Sequence, residues 1–280
     1  GLDVGGDELV WEGEVVGKQV VVGARGGELE GAGVAGLRAA VVAEDDPQAR
    51  VGQRTQQGAG EQREAVGVVD LRGGQGAGTH RAPAHRYREI VARLHACKAA
   101  YQDLARQYDR LDLPLVPPLA PFPHQEAALA AWVAAGCTGI VELPTGAGKT
   151  LLAVLAIAHT RRPALIVVPT IDLMLQWQQV LQKWFGREIG MLGGGQSERR
   201  ELTITTYDSA AAQTEFHGNR FGLLICDECH HLPAPAYRFI AAGSLAPYRL
   251  GLTATLDRPD RGETVAMELL GAVRYRAGID

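Results

Sequence analysis

The sequence predicts an α/β fold in which a central, mostly parallel sheet carries helices on both faces. From residue 124 onward, apolar runs such as 164–168 alternate with segments of helical character. Strands that are buried on both faces are continuously apolar, and their alternation with helices is typical of parallel sheets. A glycine-rich turn follows the first of these strands, and ligands of such folds bind beyond the carboxyl ends of the strands. The fold class therefore also predicts where a site should lie.

Length and composition allow one or two domains in the 280-residue chain, and 46% hydrophobic residues are enough for a core. The formal net charge of −4 excludes a globally basic surface, so any contact with nucleic acid must be local. Four cysteines without a secretory signal favour a reducing, cytoplasmic location. The longest apolar stretch is too short for a membrane span and is interrupted by glycines.

The amino-terminal segment differs in composition from the rest of the chain. Residues 1–80 hold 19 of the 35 glycines and contain no isoleucine, phenylalanine or tyrosine. Nearly every residue there can be encoded by a codon that begins with G or C. Two explanations stay open for a low-complexity extension over residues 1–85: out-of-frame translation of GC-rich DNA, or a genuine disordered extension.

Three segments follow the extension. Residues 86–113 are predicted to form an amphipathic helix, because apolar residues from Ile90 to Leu111 recur at four-three spacing. We expect this apolar stripe to pack on the chain's own body, and the alternative is a coiled-coil partner surface. Residues 114–123 form a stiff, proline-rich linker, and residues 124–280 form a nucleotide-binding domain.

The clearest motif is a phosphate-binding loop at residues 144–150, between an apolar run and a helical segment. Gly146 and Gly148 let backbone N–H groups turn inward around phosphate oxygens, and the following helix adds the positive end of its dipole. Lys149 would reach the β- and γ-phosphates of a nucleotide, and the Thr150 hydroxyl would hold Mg²⁺. The candidate nucleotide-binding residues of the loop are Pro144, Thr145, Gly146, Ala147, Gly148, Lys149 and Thr150. A tight turn that binds nothing is the plainer alternative.

Two carboxylates follow another apolar strand, which ends at Cys226. In a nucleotide site the Asp227 carboxylate suits Mg²⁺, and Glu228 suits positioning and deprotonating the attacking water. Ordinary surface charge is the alternative for such a pair. A later strand leads into small residues whose hydroxyl groups could hydrogen-bond with the carboxylates: Thr253, Ala254 and Thr255.

Together, residues 144–150, Asp227-Glu228-Cys229-His230 and Thr253-Ala254-Thr255 resemble motifs I, II and III of superfamily 2 DExH-box helicases. The segments around 251–255 and 270–275 are most similar to the XPB-like DNA repair helicases of that superfamily. The resemblance covers roughly residues 120–280. It implies a RecA-like lobe of a P-loop NTPase that uses ATP and Mg²⁺ and binds nucleic acid, with DNA as the expected substrate.

The resemblance also implies roles for particular residues. Catalysis would involve Lys149, Asp227, Glu228 and His230, while Thr150 and Asp227 would hold Mg²⁺. Coupling of hydrolysis to movement would involve Thr253, Ala254 and Thr255. Gln125 matches the glutamine that reads adenine in the family. Contacts with a nucleic-acid backbone are implied for Thr170, Gln176 and Thr206.

In this family ATP lies between two RecA-like lobes, and the second lobe supplies arginines. The motifs of this chain are those of the first lobe, so a second lobe is the expected partner, and the 280 residues by themselves are expected to be inactive. Three alternatives stay open. One is a P-loop ATPase subunit of a restriction or remodelling translocase without strand separation. Another is a P-loop small-molecule kinase, which would not explain residues 253–255. The third is a zinc or redox module that uses Cys226 and Cys229.

Overall fold

A computed structural model describes the following residues: 19–22, 72–73, 80–96, 103, 105–116, 119–256 and 262–277. Most of the extension predicted over residues 1–85 lies outside the described residues. Within it, β1 (Gln19–Val22) and β2 (Arg72–Gly73) flank β3 (His80–Pro83) in a small antiparallel sheet.

The larger sheet of the described residues has eight strands. They are β4 (Thr138–Glu142), β5 (Ala164–Val168), β6 (Gly190–Gly193), β7 (Gln196–Glu198), β8 (Leu202–Thr206), β9 (Leu223–Asp227), β10 (Tyr248–Thr253) and β11 (Val273–Arg276). Their order across the sheet is β11-β4-β10-β9-β5-β8-β6-β7. All neighbours pair in parallel except β7, which runs antiparallel to β6 at one edge.

Helices cover both faces of this sheet. The described helices are α1 (Tyr87–Ala96), α2 (Pro123–Ala134), α3 (Lys149–Thr160), α4 (Ile171–Phe185), α5 (Tyr207–His217), α6 (Arg238–Ala242) and α7 (Gly262–Leu270), and α2 to α7 contribute to the cores on the two faces. Successive strand residues point to opposite faces. In β5, Ile166 belongs to a core packed by α2, α3 and α4, whereas Val167 belongs to a second core packed by α5, α6 and α7. The predicted α/β fold is therefore confirmed.

The predicted helix over residues 86–113 is wrong in its second half. The helix α1 ends at Ala96, and the described residues between it and α2 contain no helix. Their backbone pairs instead with loops of the larger domain: Gln107 N–H donates to the Asn219 carbonyl and Leu111 N–H to the Arg161 carbonyl, each at 2.9 Å. These distant partners satisfy the backbone of the segment without a helix. Of the predicted stripe in this part, Tyr108 is buried and Leu111 is half-buried.

The first part of the stripe does pack on the chain's own body, because Tyr87, Ile90 and Leu94 of α1 are buried. The proline-rich linker also lies against the domain, since Val116 N–H donates to the Trp184 carbonyl at 2.7 Å. None of the helices in the described part of the chain has the length and apolar character needed to cross a bilayer.

Candidate functional site

Three neighbouring strands bring the predicted motifs to one edge of the sheet. The strand β10 pairs with β4 on one side and with β9 on the other, and all three end at the same edge. Thr253 lies opposite Glu142, and Leu252 lies opposite Asp227. The glycine-rich loop, the carboxylate pair and the threonine segment therefore leave the sheet side by side, as expected for the carboxyl edge of a parallel sheet.

The glycine-rich loop joins β4 to α3 and contains five of the seven predicted residues, while Lys149 and Thr150 are the first two residues of α3. Leu143, where the general pattern has glycine, is buried, and its N–H still pairs with the Thr253 carbonyl at 3.0 Å. Gly146 and Gly148 have φ angles of 86° and 79°, which side chains strongly disfavour. A Cβ at Gly148 would also collide with the amide nitrogen of Gln125. Glycine is thus required at both turns of the loop.

The start of α2 is tied to the loop by two side chains. Gln125 is almost fully buried; its amide nitrogen donates to the carbonyls of Ala147 and Gly148 at 3.3 and 3.4 Å, and its oxygen accepts the Phe122 N–H at 3.0 Å. The His124 Nε2 also donates to the Ala147 carbonyl, at 2.9 Å. No sequence motif indicated a role for His124. The adenine contact of Gln125 stays a prediction, because its amide is engaged here with protein groups.

Four predicted residues meet in one polar network beyond the strand ends. The Lys149 ammonium lies 3.0 Å from Glu228 Oε1. The Thr253 hydroxyl lies 3.5 Å from Glu228 Oε2, and His230 Nδ1 lies 3.1 Å from that hydroxyl. Glu228 has a φ of 46°, an unusual backbone conformation for a residue with a side chain, and this turn directs it toward the loop. The spacing in sequence did not reveal these distances.

Residues 253–255, which are predicted to couple hydrolysis to movement, reach the polar network mainly through the Thr253 hydroxyl. Thr253 is buried, and its hydroxyl also lies 2.9 Å from the Thr255 carbonyl, which is the alternative acceptor for its single proton. Thr255 is exposed, and its N–H donates to the Thr253 hydroxyl oxygen at 3.3 Å. Ala254 lies between the two residues. The structure therefore brings Thr253 into contact with Glu228, while Thr255 supports it through the backbone.

Asp227 ends β9 and is held by three donors. Its Oδ2 accepts from the Trp177 indole N–H at 2.9 Å, and its Oδ1 accepts from the Glu228 N–H at 3.1 Å. The Tyr207 hydroxyl donates to the Asp227 backbone carbonyl at 2.9 Å. Burial raises the pKa of the Asp227 carboxyl, and the Trp177 hydrogen bond acts against this rise. Neither the Trp177 nor the Tyr207 contact was predicted from the sequence.

The donor set at this edge fits Mg²⁺. Asp227 offers carboxylate oxygens that keep acceptor capacity beyond the bonds described, and Thr150 offers a hydroxyl in the first turn of α3. Within the described residues, no group of three or more histidine, cysteine or acidic side chains could hold a metal ion by itself. Mg²⁺ is commonly bound by one or two protein oxygens together with the phosphates of a substrate.

Two predicted nucleic-acid residues cap neighbouring helices at the same edge. The strands β5 and β8 are paired, with Val168 opposite Thr206. The Thr170 hydroxyl accepts the Leu173 N–H at the start of α4, and the Thr206 hydroxyl accepts the Ser209 N–H at the start of α5, each at 3.3 Å. The positive ends of two helix dipoles therefore lie at this edge. The third predicted residue, Gln176, is exposed in the second turn of α4.

The two cysteines of the zinc or redox alternative are free and fully buried. Burial raises the pKa of Cys226 to about 12, and it raises the pKa of Cys229 well above its usual value. Thiolates are the forms that bind zinc and react. The environment of both residues therefore stabilises the protonated, unreactive thiol.

Comparisons with known proteins agree with this arrangement. The sequence profile of the ResIII family, described as type III restriction enzyme, res subunit, matches residues 118–258. The DNA 3′-5′ translocase XPB2 of Sulfurisphaera tokodaii is 43% identical over 157 residues, which cover 56% of this chain and 36% of the relative. The DNA 3′-5′ helicase XPB of Mycobacterium tuberculosis is 40% identical over 154 residues, which cover 51% of this chain and 28% of the relative. The chain thus spans about a third of the length of these relatives.

A solved structure supports the fold. The UvsW helicase from bacteriophage T4 superposes with a TM-score of 0.50 and 19% sequence identity, over 70% of this chain and 79% of that chain. At this identity the similarity concerns the fold alone, that of a helicase lobe with a mostly parallel sheet.

Proposed function

Because this chain belongs to the ResIII family of superfamily 2 helicases, we propose that its described domain binds ATP with Mg²⁺ and that the complete protein uses ATP hydrolysis to move along DNA. Its similarity is to XPB-type DNA helicases and translocases, so the domain is an XPB-like ATPase domain. The observation that carries the proposal is the convergence of Lys149, Glu228 and Thr253 beyond one sheet edge. A family match alone would not require these contacts.

The loop and the helix α3 would hold the phosphates. The backbone N–H groups around Gly146 and Gly148 and the start of α3 would bind phosphate oxygens, and Lys149 would add a positive charge. Thr150 and Asp227 would hold the Mg²⁺ ion, which neutralises charge on the phosphates during transfer. In-line attack of water on the γ-phosphate would then need a base, and Glu228 is the nearest carboxylate to Lys149 in this network.

The Lys149–Glu228 pair suggests how binding would prepare the base. In this structure the two charges compensate each other. Phosphate oxygens would compete for the ammonium of Lys149, because charge-assisted bonds to phosphate are strong. Glu228 would then lose its cationic partner and could accept a proton from water, while Thr253 and His230 would keep its second oxygen oriented.

DNA would bind across the N-termini of α4 and α5. The chain has a net charge of −4, so a broad basic surface does not drive binding. Helix N-termini and hydroxyl groups can bind phosphates without such a surface. Thr170 is exposed at the start of α4, whereas Thr206 is buried and would act through the N–H groups that it caps. The names of the relatives include both a helicase and a translocase, so strand separation and translocation are the two forms that the activity could take.

The experiment that tests the proposal is a measurement of ATP hydrolysis by the protein expressed from its full gene. We expect Mg²⁺-dependent hydrolysis that DNA stimulates, and single- and double-stranded DNA should be compared. Displacement of a triplex-forming strand without opening of a forked duplex would indicate a translocase. ATP consumption that DNA does not stimulate, but that depends on a small molecule accepting the phosphate, would contradict the proposal and favour a kinase.

A further inference from the structure

Asp227 receives hydrogen bonds from two buried aromatic residues on two different helices. The Trp177 indole on α4 donates to its carboxylate, and the Tyr207 hydroxyl on α5 donates to its carbonyl, both at 2.9 Å. Trp177 and Tyr207 are each 2% exposed, and Asp227 is 6% exposed. Water therefore has little access to these contacts, and the position of Asp227 depends on both helices.

Both donors are close to the helix N-termini at the sheet edge. Tyr207 is the first residue of α5 and directly follows Thr206, which caps that helix. Trp177 lies about two turns after Thr170, the cap of α4. Because β5 and β8 are paired parallel neighbours, the two caps lie at the same edge of the sheet, although α4 and α5 cover opposite faces. A ligand that displaces the start of α4 or α5 would therefore also displace Trp177 or Tyr207, which are hydrogen-bonded to Asp227.

Further contacts connect the first turn of α5 with the turn that follows Asp227. The Tyr207 ring lies 5.8 Å from the ring of His231 and 5.2 Å from that of Tyr237. The Tyr237 hydroxyl donates to the Asp208 carboxylate at 2.7 Å. This packing reduces independent movement of α5 and the turn that carries Glu228.

A purely structural role for the two donors is the simpler explanation, because buried tryptophan and tyrosine usually find a hydrogen-bond partner. Trp132 provides an example: it is buried and donates to the Arg249 carbonyl at 2.8 Å, at the start of β10. Trp177 differs because its partner is the carboxylate assigned to Mg²⁺. This difference makes Trp132 a matched control.

We propose that Trp177 and Tyr207 are positioning residues that couple DNA contact at the starts of α4 and α5 to the position of Asp227. The proposal rests on the proposed function, since it needs both DNA and nucleotide as ligands. Coupling between two binding sites is reciprocal: if DNA changes the affinity for nucleotide, nucleotide changes the affinity for DNA by the same factor.

The test is a binding measurement that does not need hydrolysis. The Kd of a fluorescent ADP analogue with Mg²⁺ is measured with and without a DNA duplex, in the protein expressed from its full gene. The ratio of the two Kd values is the coupling factor. The variants are Trp177→Phe and Tyr207→Phe, which remove one donor each and keep the ring. The controls are Trp132→Phe and Tyr87→Phe, which each remove a buried aromatic donor with a partner other than Asp227; the Tyr87 hydroxyl donates to Asp103.

We expect a wild-type coupling factor in the usual range of about 5 to 150. Trp177→Phe and Tyr207→Phe should bring it close to one. The controls should keep the wild-type factor. If Trp177→Phe or Tyr207→Phe does not unfold cooperatively like the wild type, the coupling factor of the other variant decides the test.

Two results would overturn the proposal: a wild-type coupling factor of one, or equal factors in the wild type and both variants. Absence of ATP hydrolysis in a wild-type protein that still shows the coupling would instead contradict the proposed function alone.

Discussion

The Lys149 ammonium and a Glu228 carboxylate oxygen lie 3.0 Å apart, although 78 residues separate them in the chain. Their side chains are 13% and 27% exposed, so the pair is only partly screened by water. Lys149 begins α3, directly after the glycine-rich loop, and Glu228 follows β9. The pair therefore joins the group proposed to bind phosphate to the group proposed to act as base.

We expect Lys149→Ala to weaken nucleotide binding strongly. The variant deletes the positive charge directed at the phosphates, and a hydrogen bond to a charged group contributes about 1.5 to 3 kcal/mol, or about 10- to 100-fold in Kd. Equilibrium titration with a fluorescent ATP analogue measures the loss. Lys183→Ala is the control, because Lys183 lies over the Trp184 ring at 5.2 Å and away from the loop. Wild-type affinity in Lys149→Ala would show that the loop does not hold the phosphates.

Glu228→Gln should keep nucleotide binding and remove hydrolysis. The amide keeps the shape of the side chain but cannot accept a proton from water, and loss of a general base lowers rates by about 10² to 10⁴. Binding and single-turnover hydrolysis are measured on the same preparation of the complete protein. Glu188→Gln, which breaks an exposed ion pair with Arg200, serves as the control. Hydrolysis at the wild-type rate in Glu228→Gln would mean that the base is another group.

Local patterns were enough to predict the sheet and the two halves of the nucleotide site. The strand, glycine turn and helix around Gly146 are consecutive, and so are the strand and carboxylates at Asp227, so each can be recognised within one segment. The meeting of Lys149 with Glu228 was implied only through family resemblance. It depends on β4 and β9 flanking β10, and strand order is not encoded within one segment.

The predictions that failed also concern features that depend on contacts between distant segments of the chain. The helix expected up to residue 113 does not extend that far, because the apolar side chains there meet distant loops and the backbone pairs with Asn219 and Arg161. The helix α5 was missed, since its apolar residues are mostly alanines and form no clear stripe. The Trp177 and Tyr207 bonds to Asp227 span 50 and 20 residues, so they follow from tertiary packing.

Stability should fall between pH 6.5 and pH 4 because of His85. Burial, and then the nearby positive charges of Arg249 and Arg86, lower the pKa of His85 from 6.5 to about 4. The unfolded chain then binds the proton more readily than the folded chain, so the free energy of unfolding decreases as pH falls through this window. The effect amounts to at most about 3 kcal/mol at 1.36 kcal/mol per pKa unit.

Urea unfolding of the wild type and of His85→Gln at pH 7.5 and pH 5 measures this contribution. The variant should lose less stability on acidification than the wild type. His159→Gln, which changes an exposed histidine, should behave like the wild type. The raised pKa of Asp227 acts with the opposite sign, because the folded state then binds the proton more readily. Only the difference between variants isolates His85, and equal losses in all three proteins would contradict the assignment.

Purified protein should carry no stoichiometric zinc. Zinc needs thiolate ligands, whereas burial raises the pKa of Cys226 to about 12 and that of Cys229 well above its usual value. Elemental analysis of the wild type and of the double variant Cys226→Ser, Cys229→Ala measures the metal content. Cys137→Ala is the matched control, since Cys137 is also buried and free. One zinc per chain that is lost only in the double variant would establish the metal-site alternative.

These 280 residues align with the two relatives over only 36% and 28% of the relatives' own length. An arginine supplied to a phosphoryl-transfer site can contribute about 10³ to 10⁵ in rate. Arg276 lies at the carboxyl edge of the sheet, but its guanidinium is paired with Glu142 at 2.8 Å. We therefore expect the 280 residues to bind Mg²⁺-ATP weakly, to show negligible DNA-stimulated hydrolysis and to separate no strands.

The measurement compares DNA-stimulated ATP turnover of this chain with that of the chain extended by the downstream coding region. Arg276→Ala in the extended chain is the control: if Arg276 only pairs with Glu142 and Glu263, turnover should stay within about threefold of the wild type, because ion pairs of a largely exposed side chain contribute little. A fall of about 10³ or more in that variant would make Arg276 the catalytic arginine. Comparable DNA-stimulated turnover by the short and extended chains would contradict the expectation that another lobe completes the site, because no further group would then be needed to stabilise the charge of the transferring phosphate.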